Sequence, residues 1–378
     1  MEKKEFVRYP LNATFELTAR CNLRCRMCMI RLNSKQLAEL GGRERTTDEW
    51  IGMAKEIQEA GAIGLLLTGG EPLLRPDFAR IYQAIAEMGF MLTLYTNATL
   101  VTPQVMEVLR RYPPHRLGIT VYGASSDTYG KVTGDPDAYY RMLEGVNQLR
   151  TLPTKITIRT TLIRDNLEDL ETITQWVIAL GHGVDFSVSR VVTKPVRGCT
   201  SEVASCRLTP EENVNMLRKR TMEYVVEPFR KIATGQSNSI KQHNAEDKEN
   251  QIDHRRRKKP TLYGCEAGMS SYTITWDGKL IGCQMLGDCC TYPFESGFAK
   301  AWEEFPRQVK LPPMPEACVA CKISCSACPA TRLAETGYLD GVPEYLCRES
   351  KLAKEMEDNL VEELKKYLKK GENRCVKV

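Results

Sequence analysis

The chain has 378 residues, of which 42% are hydrophobic and 27% charged, with 15 cysteines and a net charge of +5. That length suffices for a large α/β domain and a smaller one, each with its own core. The slight charge excess argues against a nucleic-acid binder, which would need a concentrated basic face, and no run of about 18 apolar residues offers a membrane span.

The first residues, MEKKEFVRYP, carry charges but no apolar run behind them, so no secretory signal is expected. A reducing cytoplasm is the expected location. Clustered cysteines there bind metal or do redox chemistry more often than they form disulfides.

In chain order, six short β-rich runs open the sequence: ATFELT (13–18), GLLLTG (64–69), MLTLYT (91–96), RLGITVY (116–122), KITIRTTLI (155–163) and VDFSVSRV (184–191). Amphipathic stretches separate them at 47–61, 76–89, 102–112, 137–152 and 167–181, and a sixth follows at 209–235. Several open on Thr, Pro or Asp and close on Gly, as helices do. Six βα units in series predict an α/β fold, a partial (β/α)6 TIM-like barrel. Its chemistry is expected in the loops after the strands. The expected divisions are a barrel over 1–235, a polar and charged linker over 236–262 that includes HRRRKK (254–259), a cysteine-rich domain over 263–349, and a terminal helix and tail over 350–378.

The loop after the first strand, TARCNLRCRMCM, holds Cys21, Cys25 and Cys28. Three thiolates on a [4Fe–4S] cubane leave one iron open for a substrate or cofactor. A structural zinc site would want a fourth ligand, and no further Cys or His lies nearby.

This Cys-x3-Cys-x2-Cys loop resembles that of the radical S-adenosylmethionine (SAM) enzymes. In that family the open iron is chelated by SAM, and an electron from the cluster releases a 5′-deoxyadenosyl radical. The resemblance makes Cys21, Cys25 and Cys28 the ligands of that cluster, with Met27 where many members carry an aromatic residue. TGGEPLL (68–74) resembles the family's GGE segment, which implies that Thr68, Gly69, Gly70 and Glu71 meet the SAM amino group. YTNAT (95–99) resembles the TNG segment and brings in Asn97, with Ala98 in place of glycine. Thr120, Arg159, Val191 and Val192 fall where the family places further SAM contacts.

Nine cysteines lie between Cys265 and Cys347. Cys265, Gly278 and Cys283 match C-x9–15-G-x4-C, and CVACKISCSACPA follows. This region resembles the SPASM domain, which holds two auxiliary [4Fe–4S] clusters. The family order gives Cys265, Cys283 and Cys328 to the nearer cluster, with Cys289 or Cys290 as fourth ligand or an open position. Cys318, Cys321, Cys325 and Cys347 go to the distal one. The usual middle spacing, C-x2-C-x5-C-x3-C, is here C-x2-C-x3-C-x2-C, so Cys325 and Cys328 are the assignments in question. A zinc ribbon is the other reading of 318–328.

The resemblance implies an enzyme with SAM and three [4Fe–4S] clusters that abstracts hydrogen from a precursor peptide, forming a thioether or carbon–carbon crosslink. A flavodoxin or ferredoxin is the expected reductant. The first strand starts near residue 13, leaving no room for the family's leader-binding extension, so leader binding is expected to use a separate leader-binding protein, the 236–260 loop or the face of the SPASM-like domain. Gln284 stands where sulfatase-maturating members carry a basic Asp, which disfavours that activity. The alternatives are a peptide epimerase, for which Cys199, Cys289 and Cys290 are candidate hydrogen donors, and a small-molecule dehydrogenase acting on a sugar or alcohol. An iron–sulfur carrier or zinc-stabilised interaction module is the non-enzyme reading. It leaves the GGEP segment and the six βα units without a purpose.

Overall fold

The computed structural model describes residues 7–32, 34–195, 197, 203–233 and 261–375; Cys199 and the charged stretch 236–260 lie outside them. Six parallel strands form in the expected order: β1 (Asn12–Glu16), β2 (Gly64–Thr68), β3 (Met91–Thr96), β4 (Arg116–Thr120), β5 (Lys155–Thr161) and β6 (Val184–Ser189). β7 (Ser271–Ile274) pairs parallel to β1, then β8 (Leu280–Ile281) and β9 (Cys290–Thr291) continue antiparallel. The sheet order is β6-β5-β4-β3-β2-β1-β7-β8-β9. Simple succession from β1 to β6, each strand followed by a helix, is the partial barrel that the six repeats imply.

The helices between strands lie close to their expected ranges, at Thr47–Glu59, Phe78–Ala86, Pro103–Arg111, Ala138–Leu149 and Leu170–Leu180. Thr46 caps the first of these with Glu49 in a reciprocal capping box. Between β1 and β6 two helices were not foreseen, Ser34–Glu39 and Ser126–Thr133. Both are too short to show a periodic apolar stripe. The helix expected over 209–235 runs from Pro210, passes through a π turn at Met222–Val226 and continues to Ala233.

Along each strand the residues alternate between two faces. Ala13, Phe15, Leu65, Leu67, Leu92, Leu94, Ile156 and Ile158 are buried against the helices. Phe15 stacks on Trp50 with ring centroids 4.8 Å apart. Each such apolar side chain contributes about 1.5–3 kcal/mol by leaving water. The opposite face is different in kind, and it leads to the site.

The described residues divide into two compact units. The first holds residues up to Arg207, then 261–312 and Cys328–Ala330; the second holds 208–233, 313–327 and the chain from Thr331 onward. The second unit contains the long helix Glu344–Cys375. No described helix is long and apolar enough to cross a membrane.

Candidate active site

A parallel sheet is normally apolar on both faces. Here the inner face carries Thr68, Tyr95, Thr120, Thr157, Arg159 and Ser187, all half-buried. Strand register puts Thr120 beside Arg159 and Arg159 beside Ser187. The Arg159 guanidinium donates to the Tyr95 hydroxyl at 2.8 Å and lies over its ring. Gly118 makes the room: a Cβ there would stand 2.5 Å from the Tyr95 ring. Half-buried polar side chains gathered on one face of the sheet suit a site that takes a polar guest.

The three thiols lie on the loop that leaves β1 at the carboxyl end of the sheet. The Leu17 amide extends the ladder to the Thr68 carbonyl, and the loops after β1 and β2 then zip together through Gly70 N–H to Thr18 O (2.7 Å) and Glu71 N–H to Arg20 O (2.9 Å). This close approach explains the paired glycines. Gly69 adopts φ +146°, and a Cβ on Gly70 would stand 2.2 Å from the Arg20 carbonyl oxygen. Farther along, the Arg24 and Arg26 amides donate to Thr133 and Val132 carbonyls, and Arg26 pairs with Asp165 at 2.6 Å.

Glu71 is 1% exposed. Its carboxylate accepts from the Leu73 amide (3.1 Å), the Thr96 hydroxyl (2.7 Å) and the Asn97 amide (2.8 Å). Burial raises its pKa to about 7 against the pull of those donors. Glu71 thus ties the loop after β2 to the loop after β3. Asn97 extends the tie to the cysteine loop: its side-chain amide donates to Asn22 at 3.0 Å and lies 3.9 Å from the Cys21 sulfur. Ala98 sits at φ +58°, the left-handed region, which accounts for the glycine usual at this position.

Cys21 and Cys25 are half-buried and buried free thiols; the Cys28 charge is felt at both, and the Cys21 charge at Cys25. Burial pushes the Cys21 thiol up to about 12, helped by the nearby Glu71 charge, and pushes Cys25 higher still. The Leu23 amide donates to the Cys21 sulfur (3.4 Å) and the Arg31 amide to the Cys28 sulfur (3.3 Å). The Arg31 Nε is buried with no acceptor among the described residues. A buried thiol trio with amide donors and an orphaned guanidinium nitrogen suits a cationic cluster that deprotonates the thiols, together with an anionic ligand. Among the described residues no three His, Cys, Asp or Glu converge on a single ion position, and ligands of a four-iron cluster stand farther apart than that.

Tyr122, beside these thiols, carries no motif. The buried Tyr122 hydroxyl faces the Cys25 thiol. Met27 and Tyr122 pack together on the cluster of Val132, Ile163, Val192, Val203 and Cys206. Met27 thus fills the apolar slot at its position. Val192 belongs to that core, whereas Val191 is 53% exposed.

The remaining cysteines segregate. In the first unit, the charges of Cys265 and Cys328 are felt at Cys283. The Tyr263 hydroxyl faces Cys289, with Cys283 and Cys265 near. Cys290, the next residue, is turned instead toward Tyr292 and Lys279. Gly278 takes φ +90° in the turn joining β7 to β8, which explains the glycine of C-x9–15-G-x4-C. In the second unit, Cys347 senses Cys325, Cys318 and Cys321. The 4%-exposed Arg332 donates to the Cys318 sulfur at 3.2 Å.

Residues 15–177 match the family model of the radical SAM superfamily. The chain is 28% identical over 359 residues to an AdoMet-dependent heme synthase of Methanosarcina barkeri, an alignment covering 90% of this chain and 98% of that one. It is 30% identical over 171 residues to a PqqA peptide cyclase of Bradyrhizobium diazoefficiens, covering 45% of this chain and 44% of the cyclase. Among solved structures, Streptococcus suis SuiB bound to precursor peptide SuiA superposes with a TM-score of 0.63 at 15% identity, covering 90% of this chain and 76% of SuiB. The enzyme anSMEcpe, with bound AdoMet and the Cp18Cys peptide, gives 0.64 at 14% identity, covering 94% and 99%. At such identities the structures bear on fold alone.

Proposed function

We propose that this chain, an enzyme built on a radical SAM domain, cleaves SAM reductively and abstracts hydrogen from a peptide, forming a thioether or carbon–carbon crosslink in a ribosomally made precursor. The observation that carries the reading is the polar inner face of the sheet, opening beside three mutually facing thiols. The chemistry supplied by SAM on a reduced [4Fe–4S] cluster is a 5′-deoxyadenosyl radical that takes a hydrogen atom from the substrate.

Cys21, Cys25 and Cys28 hold that cluster. The backbone around Gly69 and Gly70, fixed to the Thr18–Arg20 loop, presents its carbonyls to the SAM amino group. Glu71 locks that backbone by accepting from Leu73, Thr96 and Asn97. Asn97 holds the cysteine loop against β3. Thr120 and Arg159 line the chamber, where Arg159 has donors left for a carboxylate. Cys265, Cys283, Cys289 and Cys328 hold one auxiliary cluster, and Cys318, Cys321, Cys325 and Cys347 another. Crosslinking removes two hydrogens: one ends on 5′-deoxyadenosine, the other leaves as a proton, and an auxiliary cluster held by these thiols would supply the acceptor for the remaining electron. A flavodoxin or ferredoxin supplies the first electron, and a separate protein presents the leader.

Support for a peptide substrate comes from the 30% identity over 171 residues to a PqqA peptide cyclase, on a fold shared with SuiB and anSMEcpe. A second reading, action on a haem precursor, is favoured by the alignment that spans 98% of the Methanosarcina barkeri relative. The anaerobically reconstituted, reduced protein should make 5′-deoxyadenosine from SAM. Failure with a full complement of iron would sink the function. Incubation with candidate peptides and with iron porphyrins then separates the readings: a peptide lighter by two hydrogens supports crosslinking, unchanged mass with inverted stereochemistry supports epimerisation, and turnover of the porphyrin alone transfers the chain to haem chemistry.

A further inference from the structure

Two arginines, Arg197 half-buried and Arg332 buried, stand beside the two auxiliary thiol groups, and their charge balance differs. In the first unit Arg197 reaches the region of Cys283 by donating from Nε to the Gln284 carbonyl at 2.5 Å. Its other donors form a bidentate pair with Glu16, which is 1% exposed, at 3.0 and 2.5 Å. That cation carries its own counter-charge. In the second unit Arg332 donates from Nη1 to the Cys318 sulfur (3.2 Å) and the Gly341 carbonyl (3.1 Å), and from Nε to the Ala327 carbonyl (3.2 Å). Among the described residues no carboxylate pairs with it. A guanidinium cannot shed its proton, so a buried positive charge rests on one sulfur without compensation.

Resting on the cluster assignment above, we infer that Arg332 sets the potential of the cluster held by Cys318, Cys321, Cys325 and Cys347, making it the more easily reduced of the two auxiliary clusters. Reduction adds one negative charge to a cluster. A charge-assisted N–H···S bond stabilises that charge, and hydrogen bonds to sulfur and net charge are among the levers that move such potentials. The near cluster sees a neutralised ion pair and receives less of this help. The distal cluster is then the place where an electron released by substrate oxidation comes to rest.

The test uses the full chain, reconstituted anaerobically, with midpoint potentials read by electron paramagnetic resonance. Iron is counted first: about twelve per chain is expected for three four-iron clusters. In Arg332→Gln, the signal that disappears in Cys347→Ala should shift to a lower midpoint, while the signal that disappears in Cys283→Ala stays. If Arg332→Gln loses iron, the wild type labelled with guanidino-15N arginine decides: nitrogen coupling to the reduced distal signal is expected. Full iron with an unmoved midpoint, equal shifts of both auxiliary signals, or no nitrogen coupling would each overturn the inference while leaving the cluster assignment standing. About four irons in the wild type would overturn the assignment and the inference with it.

Discussion

The two cysteine regions solve the same problem in opposite ways. Cys21, Cys25 and Cys28 come from one loop of eight residues, pinned by backbone hydrogen bonds to the loop after β2 and to the end of the helix Ser126–Thr133. The C-terminal cysteines are scattered from Cys265 to Cys347 and sorted between two structural units. The first arrangement is local and, on a four-iron cluster, would leave one ligand position open. The second is assembled by tertiary structure and offers four thiols to each group. An open position suits a cluster that must bind a cofactor, and full ligation suits one that only passes electrons.

The largest effect expected is on the local trio. Cys21→Ala, Cys25→Ala and Cys28→Ala together should abolish 5′-deoxyadenosine formation while leaving about eight of about twelve irons. Retained SAM cleavage would break the division of labour between the regions. Next, Cys289→Ala should cost iron and alter the near auxiliary signal, whereas Cys290→Ala should leave both as they are. The reverse outcome would show that the side chains of this strand end face the other way. Gly70→Ala drives a Cβ into the Arg20 carbonyl; chemical denaturation should show a loss of about 1–3 kcal/mol, and SAM affinity should fall as the cysteine loop shifts. Unchanged stability would mean that the two loops are not packed as tightly as the backbone bonds imply. The smallest effect is a gain. Ala98→Gly relieves a left-handed alanine and should stabilise by up to about 1 kcal/mol, reduced by the greater freedom of glycine in the unfolded chain. A lower melting temperature would refute it.

Much of this was legible in the residue pattern. The alternation of strand and helix runs places β1 to β6 within a few residues of their ends, because a parallel α/β sheet needs one apolar face under the helices. The cysteine loop is readable because its ligands are neighbours in the chain. Glu71 was read as a SAM contact. Its carboxylate is occupied by Leu73, Thr96 and Asn97, a network formed by segments 25 residues apart that no spacing rule reveals. Tyr122, Arg31 and Arg332 were missed for the same reason. A single Tyr or Arg carries no motif, and its meaning lies in the thiol or cavity it meets.

By itself the sequence determined the α/β partial barrel, the loop of three thiols and the glycines beside it, since these depend on periodicity, ligand spacing and local backbone freedom. Only the tertiary structure separated Cys289 from Cys290, brought Cys328 to Cys283 and left Cys325 with Cys347. It also gave Arg197 a counter-charge and, among the described residues, Arg332 none. Those outcomes depend on where distant segments meet and on which charges burial leaves unpaired, and neither quantity is written in the order of residues along the chain.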